Sequence, residues 1–261
     1  MSETYEVLAL KYGFRESRTR KDSFIFDDAL DLPHKIDYFV WLIRNENRTI
    51  LVDTGYDYKE GLARGREITM LPREALAKLD VDAETLSDVI VTHLHYDHAG
   101  TLDDFPAANF HLQDAEMEYA TGRCMCHDHL REPFTADHIC SMIKKVYTGK
   151  ARFHDGDAEV APGVTVHKIG GHSKGLQSVR VMTESGPLVL ASDAAHFYEN
   201  YEKKKPFPIV ANLEEMLEGY NTLTTMADGD SSRVVPGHDP LVCEHYQPYS
   251  SATDGLVYKL G

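Results

Sequence analysis

The chain is poor in cysteine, in positive charge and in long apolar runs. Only four of its 261 residues are cysteines, which does not suggest a disulfide scaffold. Lysine and arginine number 27 against 42 aspartates and glutamates, a formal net charge of −15. This balance argues against a nucleic-acid partner, because binding phosphates usually needs a basic surface. No run is apolar and long enough to span a bilayer, so no membrane partner is expected.

The start of the chain also lacks the basic region and apolar core of a secretory signal, so we expect a cytoplasmic protein. Hydrophobic residues at 42% and charged residues at 26% are typical of an ordinary globular protein. The length allows one large α/β domain or at most two small ones. We expect a single domain over residues 1–261, and leave open whether two copies form a homodimer.

Strand-like and helix-like patterns are mixed along the chain. Four segments with apolar residues three and four apart predict amphipathic helices: LPREALAKL, QDAEMEYATG, ADHICSMIKKVYTG and LEEMLEGYNTLTTMA. Eight apolar runs predict strands: YEVLAL, DYFVWLIR, TILVDTG, DVIVTH, VTVHKIGGH, QSVRVMT, PLVLASD and RVVPGH. This mixture predicts an α/β protein in which helices cover sheets.

The stretch VTHLHYDHAG, residues 91–100, places three histidines and an aspartate directly after a predicted strand. In an extended chain His93 and His95 share one face, whereas on a helix they would diverge. Histidine is the commonest metal ligand and carboxylate often accompanies it. The pattern therefore favours a metal site over a surface loop that is merely rich in histidine.

Three further predicted strands end in a histidine or an aspartate, namely at His172, Asp193 and His238. Taken singly, a terminal aspartate is usually a helix cap and a lone histidine usually makes an ordinary hydrogen bond. Strand ends in one sheet layer can meet at one rim, so four such endings together predict one metal centre.

Two other segments have less specific patterns. The run Cys124–His129, CMCHDH, contains thiols and imidazoles but not the usual spacing of a structural zinc site. We interpret it as part of a partly buried helix or lid. The run Tyr201–Pro208, YEKKKPFP, is interpreted as a flexible insertion with solvated lysines.

A series of motifs and residues, in family order, resembles the metallo-β-lactamase superfamily over nearly the whole chain. The series consists of DTG (Asp53 to Gly55), the HxHxDH motif from His93 to His98, His172, Asp193 and His238. The resemblance implies an αββα sandwich, two mixed sheets packed face to face with helices outside. It also implies that Asp193 bridges two metals and that the buried Asp53 orients the site. The implied ligand sets are His93, His95 and His172 for one metal, and Asp97, His98 and His238 for the other.

Within the superfamily, HLHYDHAG, FHLQDAE and PGHDP look most like the N-acyl homoserine lactonases. Those lactonases typically carry a tyrosine three residues after the bridging aspartate, where its hydroxyl helps to hold the substrate carbonyl. Here His196 stands at that position and Tyr198 follows two residues later. Imidazole can donate a hydrogen bond as a phenol can, so we expect His196 to contact the substrate, with a purely structural role as the alternative.

The resemblance implies a hydrolase with two divalent ions per chain, for which zinc is the default and iron, manganese or cobalt would accept the same ligands. A hydroxide held between the metals would attack a lactone or other ester, one candidate being an N-acyl homoserine lactone in a quorum-quenching reaction. Asp97 would pass a proton to the alkoxide that leaves.

Three alternatives stay open. A thioesterase resembling glyoxalase II would need a basic pocket for glutathione, which the lysines of EKKKPF could supply. A persulfide dioxygenase retains HxHxDH but uses one iron and oxygen. A metal-stabilised binding module without catalysis would not need so complete a set of ligands.

Overall fold

The computed structural model describes residues 3–253 and 255–261. The described part forms two mixed β-sheets with helices, the α/β architecture that the sequence predicts. In chain order the strands are β1 Glu6–Arg15, β2 Ile36–Arg44, β3 Thr49–Val52, β4 Glu67–Ile68, β5 Asp88–Ile90, β6 Asn109–Gln113, β7 Ala151–His154, β8 Ala158–Ala161, β9 Val164–Lys168, β10 Gln177–Thr183, β11 Gly186–Ser192, β12 Val234–Pro236, β13 Gln247–Pro248 and β14 Val257–Lys259. All eight predicted strands are present.

The first sheet has the strand order β13-β14-β1-β2-β3-β5-β6-β7, and β4 pairs with β1 outside this path. The neighbouring strands β3, β5, β6 and β7 run parallel to one another, whereas the pairs β1–β2 and β2–β3 are antiparallel. The second sheet has the order β12-β11-β10-β9-β8, in which only the β11–β12 pair is parallel. Side chains of both sheets contribute to one buried hydrophobic cluster, which confirms the predicted pair of packed mixed sheets.

Strand β2 lies in the buried interior of the first sheet. Its sequence, IDYFVWLIR, has no alternation of apolar and polar residues, and eight of its nine residues are buried. Such a run is typical of a strand covered on both faces. Burying one large apolar side chain such as that of Leu42 contributes roughly 1.5–3 kcal/mol.

The four predicted helices are also present. The longest, α7 (Leu213–Met226), begins after Asn212, whose side chain accepts hydrogen bonds from the backbone N–H groups of Glu214 and Glu215 and so caps the helix. The helices are α1 Tyr58–Arg64, α2 Pro72–Ala77, α3 Asp114–Thr121, α4 Asp128–Arg131, α5 Ala136–Tyr147, α6 Tyr198–Glu202, α7 Leu213–Met226 and α8 Val242–His245. Among the described residues, no helix combines the length and apolarity needed to cross a membrane.

Candidate metal centre

Eight polar side chains converge where strands of the two sheets end. Each is at most 8% exposed, although polar groups are costly to bury unless other groups satisfy them. His93, His95, Asp97 and His98 follow β5, His172 follows β9, Asp193 and His196 follow β11, and His238 follows β12. The structure thus brings together all seven of the predicted ligand residues, and adds His196 to them.

The carboxylate of Asp193 lies between two groups of these side chains. Its Oδ2 lies 3.2 Å from His172 Nε2 and 3.8 Å from His93 Nε2. Its Oδ1 lies 2.9 Å from His238 Nε2 and 3.2 Å from His98 Nε2. Two of the groups whose spacing could hold a metal ion are His93, His95 and His172, and Asp97, His98 and His238. One oxygen of Asp193 therefore faces each group, as expected of a carboxylate shared by two cations.

Several atoms of metal-ligand type in this cluster lack a hydrogen-bond partner. Across residues 3–253 and 255–261, His93 Nε2, His98 Nε2 and Asp193 Oδ1 are buried without one. Buried polar atoms in native proteins are normally paired, so each of these needs an explanation. Imidazole nitrogens and carboxylate oxygens suit zinc and related divalent ions. The residues present therefore fit a metal centre.

Asp53, directly after β3, contacts the ring nitrogen of His98 that does not face Asp193. Its carboxylate lies 2.7 Å from His98 Nδ1 and accepts hydrogen bonds from the backbone N–H and hydroxyl of Thr92, at 2.7 and 2.8 Å. Burial raises the pKa of Asp53, while His98 and Thr92 oppose that rise. The contact orients the His98 ring with Nε2 towards Asp193, the orienting position that the resemblance implies.

Backbone carbonyls hold two more of the rings. His172 Nδ1 lies 2.8 Å from the carbonyl oxygen of Ile209, and His238 Nδ1 lies 2.9 Å from that of Asp37. A carbonyl can only accept, so each Nδ1 donates and Nε2 is the ring nitrogen left to bind a metal. Both Nε2 atoms face Asp193.

The protonation states of the cluster follow from burial and from the carboxylates. Burial lowers the pKa of His93 and His95 well below the usual value, which keeps both rings neutral. For His98, the charges of Asp193 and Asp53 outweigh burial and raise the pKa. Burial alone would favour neutral Asp193, but the surrounding histidines hold its pKa well below the usual range.

Glu116 is a residue that the sequence analysis missed. It is fully buried on α3, and its carboxylate accepts hydrogen bonds from the backbone N–H groups of Leu94 and Gly175, both at 2.9 Å, and from the Ser173 hydroxyl. It therefore ties the loop after β5 to the loop that carries His172. A Cβ at Gly175 would lie 2.1 Å from the Glu116 nitrogen, so only glycine fits there. An acid in a first helical turn is common, and nothing in the sequence pattern distinguishes this one.

His196, and not Tyr198, faces the centre. His196 Nε2 lies 2.9 Å from Asp193 Oδ2, and His172, Asp193 and His196 form a further group that could hold a metal. Its ring stacks on Phe207, with centroids 3.4 Å apart and planes 9° from parallel. Tyr198 is only 7% exposed and its backbone N–H donates to Asp239.

The interpretation of residues 201–208 as a flexible insertion is wrong. Tyr201 and Phe207 are each 4% exposed, because the segment packs on the core and against His196. The solvated lysines are Lys203 and Lys204, both exposed. Lys205 instead lies 2.6 Å from Asp27. None of the three lines the cleft at the metal centre, so they do not supply the basic pocket that a glutathione thioesterase would need.

The run Cys124–His129 is helical, as interpreted from the sequence. It spans a 3-10 turn at Arg123–Cys126 and the start of α4. Within the described ranges, no group with metal-binding spacing includes a cysteine.

A cleft of about 270 Å³ leads to the centre. At its floor are His95, Asp97, His172, Asp193, His196 and His238, and residues from β1, β2, the loop after α1 and the Pro208–Ile209 segment form its walls. The centre is thus open to a small molecule rather than sealed in the core.

Comparison with known families agrees with this geometry. Residues 37–238 match the family described as the metallo-beta-lactamase superfamily. An N-acyl homoserine lactonase of a Bacillus species is 33% identical over 195 residues, which cover 69% of this chain and 71% of the relative. The N-acyl homoserine lactonase of Bacillus thuringiensis is 33% identical over 213 residues, covering 75% and 80% of the two chains.

The fold is also that of solved structures. An N-acyl homoserine lactone hydrolase, with the product N-hexanoyl-L-homoserine bound at its catalytic metal center, superposes with a TM-score of 0.78. The match covers 95% of this chain and 98% of the other at 23% identity. A second structure, a dizinc quorum-quenching lactonase, gives a TM-score of 0.70 at 16% identity and covers 92% and 89% of the two chains.

Proposed function

The chain belongs to the metallo-beta-lactamase superfamily, and we therefore propose that it is a metal-dependent hydrolase that opens a lactone, a cyclic carboxylic ester. The observation that carries this proposal is the Asp193 carboxylate, which directs one oxygen to each of two groups of ligand residues. The similarity to N-acyl homoserine lactonases supports the ester class, and a quorum-quenching role on such lactones is part of the proposal. We place the enzyme in the cytoplasm, as expected from its sequence.

We assign two divalent ions, most simply zinc, to the centre. His93, His95 and His172 would hold one ion, Asp97, His98 and His238 the other, and Asp193 both. Seven ligands exceed what one tetrahedral ion can use. When bound, such a pair of ions lowers the pKa of water and polarises an ester carbonyl.

Asp97 is the proposed proton carrier. In lactone opening, a bond forms between a water oxygen and the acyl carbon, the ring carbon–oxygen bond breaks, and the freed oxygen must gain a proton. Asp97 lines the cleft, and its carboxylate oxygens lie 3.8 Å from His98 Nε2 and from His238 Nε2. The Tyr12 hydroxyl donates to its backbone carbonyl at 2.7 Å, which fixes the residue where it can take up and deliver that proton.

His196 is proposed to contact the substrate. Its Nε2 lies 2.9 Å from Asp193 Oδ2, the residue lines the cleft, and the stack on Phe207 fixes the ring. A rigid imidazole there can hydrogen-bond an ester oxygen with little loss of side-chain entropy.

The test is an assay of protein whose metal content has been measured, with a panel of lactones, a glutathione thioester and glutathione persulfide under oxygen. We expect about two metal ions per chain and turnover of lactones. One iron per chain, together with oxygen-dependent consumption of persulfide, would show that the protein is a persulfide dioxygenase and not a lactonase. Faster turnover of the thioester than of every lactone would replace the lactonase proposal by the thioesterase.

A further inference from the structure

Four cations from two distant parts of the sequence line the metal cleft: Arg15, Arg18, Lys21 and Arg66. Of the four carboxylates that also line it, Asp97 and Asp193 belong to the metal-ligand groups, which leaves Asp22 and Glu132. The chain as a whole carries a net charge of −15, so composition does not account for this concentration of positive charge.

Among the described residues, none of these four cations forms an ion pair within 4.0 Å, whereas arginines nearby, such as Arg20 and Arg64, are paired with acids. Two acids stand at the rim, Asp22 and Glu132. The Asp22 carboxylate accepts from the backbone N–H of Thr19, and that of Glu132 from Arg64.

Arg18 is the most informative of the four because it is buried. It is 8% exposed, and one of its donors, Nη1, is buried without a hydrogen-bond partner among the described residues; Nε of Arg15 is buried unpaired as well. Only the Arg18 Nη2 is used, donating to the backbone carbonyl of Asp22. Burial lowers the pKa of Arg18, yet a guanidinium stays charged in proteins. An unpaired buried charge is costly unless a ligand satisfies it.

Arg66 lies on the same cleft and is held in place. Its Nε donates to the Tyr96 hydroxyl at 3.0 Å, and that hydroxyl lies 3.3 Å from the hydroxyl of Tyr38. Tyr96 directly precedes Asp97 in the metal-ligand motif, so Arg66 is linked to the loop that carries the proposed proton carrier. The Arg66 Nη1 donates to the backbone carbonyl of Arg64, which fixes the guanidinium further. A guanidinium forms strong, charge-assisted hydrogen bonds with oxyanions.

We propose that the substrate is an anionic ester, and that Arg15, Arg18 and Arg66, with Lys21 at the rim, bind its carboxylate or phosphate group while the ester lies at the metal centre. This inference rests on the proposed hydrolase function and narrows its substrate class to anionic esters, in place of the uncharged N-acyl homoserine lactones. An uncharged acyl chain would leave the buried donors of Arg15 and Arg18 unsatisfied, and an anion would satisfy them.

The test compares two lactones of nearly equal size, 5-oxotetrahydrofuran-2-carboxylate and its carboxamide, on the metal-loaded enzyme. We expect kcat/KM to be about tenfold to a hundredfold higher for the carboxylate, since hydrogen bonds between charged groups are the strong ones. This preference should shrink as salt is raised, because salt screens charges near the surface. A phosphorylated lactone in the same assay separates the two kinds of anion.

Variants locate the anion site. Arg18→Gln should lower the ratio of carboxylate to carboxamide kcat/KM by about tenfold to a hundredfold, without changing metal content. Arg123→Gln removes one arginine charge from an exposed position outside the cleft, and should leave the ratio as it is. If the buried Arg18 variant does not fold, Lys21→Gln at an exposed position should still lower the ratio, by a smaller factor.

The possible results distinguish failure of the proposed anion site from failure of the proposed lactonase function. Equal turnover of both lactones, at all salt concentrations, overturns the anion site and leaves the lactonase intact. If no lactone is opened, the proposed lactonase function is wrong. Calorimetry with tetrahydrofuran-2-carboxylate and its carboxamide then tests anion binding independently of catalysis. Binding of the carboxylate that weakens at least tenfold in Arg18→Gln supports the site, whereas equal binding to both proteins refutes it.

Discussion

Asp193 is the residue on which both proposed metal positions depend. Its two oxygens face different groups of histidines, so its loss should affect both ions, whereas loss of a residue in one group should affect one. Asp97 belongs to a single group and keeps an oxygen when changed to asparagine.

We therefore predict that Asp193→Ala abolishes lactone hydrolysis, by at least about a hundredfold, and lowers binding of both metals. Asp97→Asn should keep most of the metal but lower kcat by about a hundredfold or more, because it removes the proton carrier. Metal analysis and steady-state kinetics on the same preparations measure both effects. Full turnover of Asp97→Asn at neutral pH would exclude Asp97 as the proton carrier.

For His196, we predict that replacement by alanine lowers kcat/KM about tenfold to a hundredfold, the cost of roughly 1–3 kcal/mol for one hydrogen bond to the reacting group. Metal content should not change, and His196→Tyr should recover much of the activity. The exposed His129 gives a matched control, since His129→Ala should match the parent protein. A loss of metal together with activity would instead make His196 a ligand.

At the level of elements, α3 contributes to the centre through Glu116, which joins two ligand-bearing loops. We predict that Glu116→Gln lowers the free energy of unfolding by about 1–3 kcal/mol, because the amide places an N–H group against a backbone N–H that then lacks an acceptor. Metal should also be lost faster to a chelator. The exposed Glu118 on the same helix gives the control variant Glu118→Gln, which should behave like the parent in urea unfolding and in chelation. Identical metal loss from both variants would mean that Glu116 does not position the loops.

At the level of the whole molecule, the metal centre lies between the two sheets and should stabilise both. If metal is present at about a thousand times its dissociation constant, it contributes about 4 kcal/mol. Removing it with a chelator should then lower the Tm by about 8–16 °C, as expected for a domain of this size, and adding metal back should restore it. Calorimetry measures the shift, and an unchanged Tm after complete metal removal would contradict the assignment of these residues as ligands.

The same experiment tests the prediction of one domain over residues 1–261. The buried hydrophobic cluster includes side chains from both sheets, so we expect a single cooperative transition. Two resolved transitions would show that the chain contains two domains that unfold separately.

The sequence alone determined eight of the strands, four of the helices and the residues of the centre, because these are encoded locally. Strands β4, β6, β7, β8, β13 and β14 lie outside the predicted runs. Apolar periodicity over a few residues specifies a strand or helix, and each proposed ligand stands directly at the end of such a run. The spacing of His93 and His95, which share one face of an extended chain, then makes the metal-site prediction specific.

The contacts around those ligands depend on the tertiary structure and could not be predicted from the sequence. The carbonyl of Ile209 behind His172, the stack of Phe207 on His196 and the tie from Glu116 to Gly175 join residues far apart in the chain. The basic cleft is likewise built from the segment ending β1 and from Arg66, which no local pattern connects. Such contacts depend on how the two sheets and their loops pack, and periodicity within one segment carries no information about its partners in space. For this reason the sequence offered the lysines of EKKKPF as basic groups only for the thioesterase alternative and otherwise as solvated residues, whereas the fold places Arg15, Arg18 and Arg66 at the cleft.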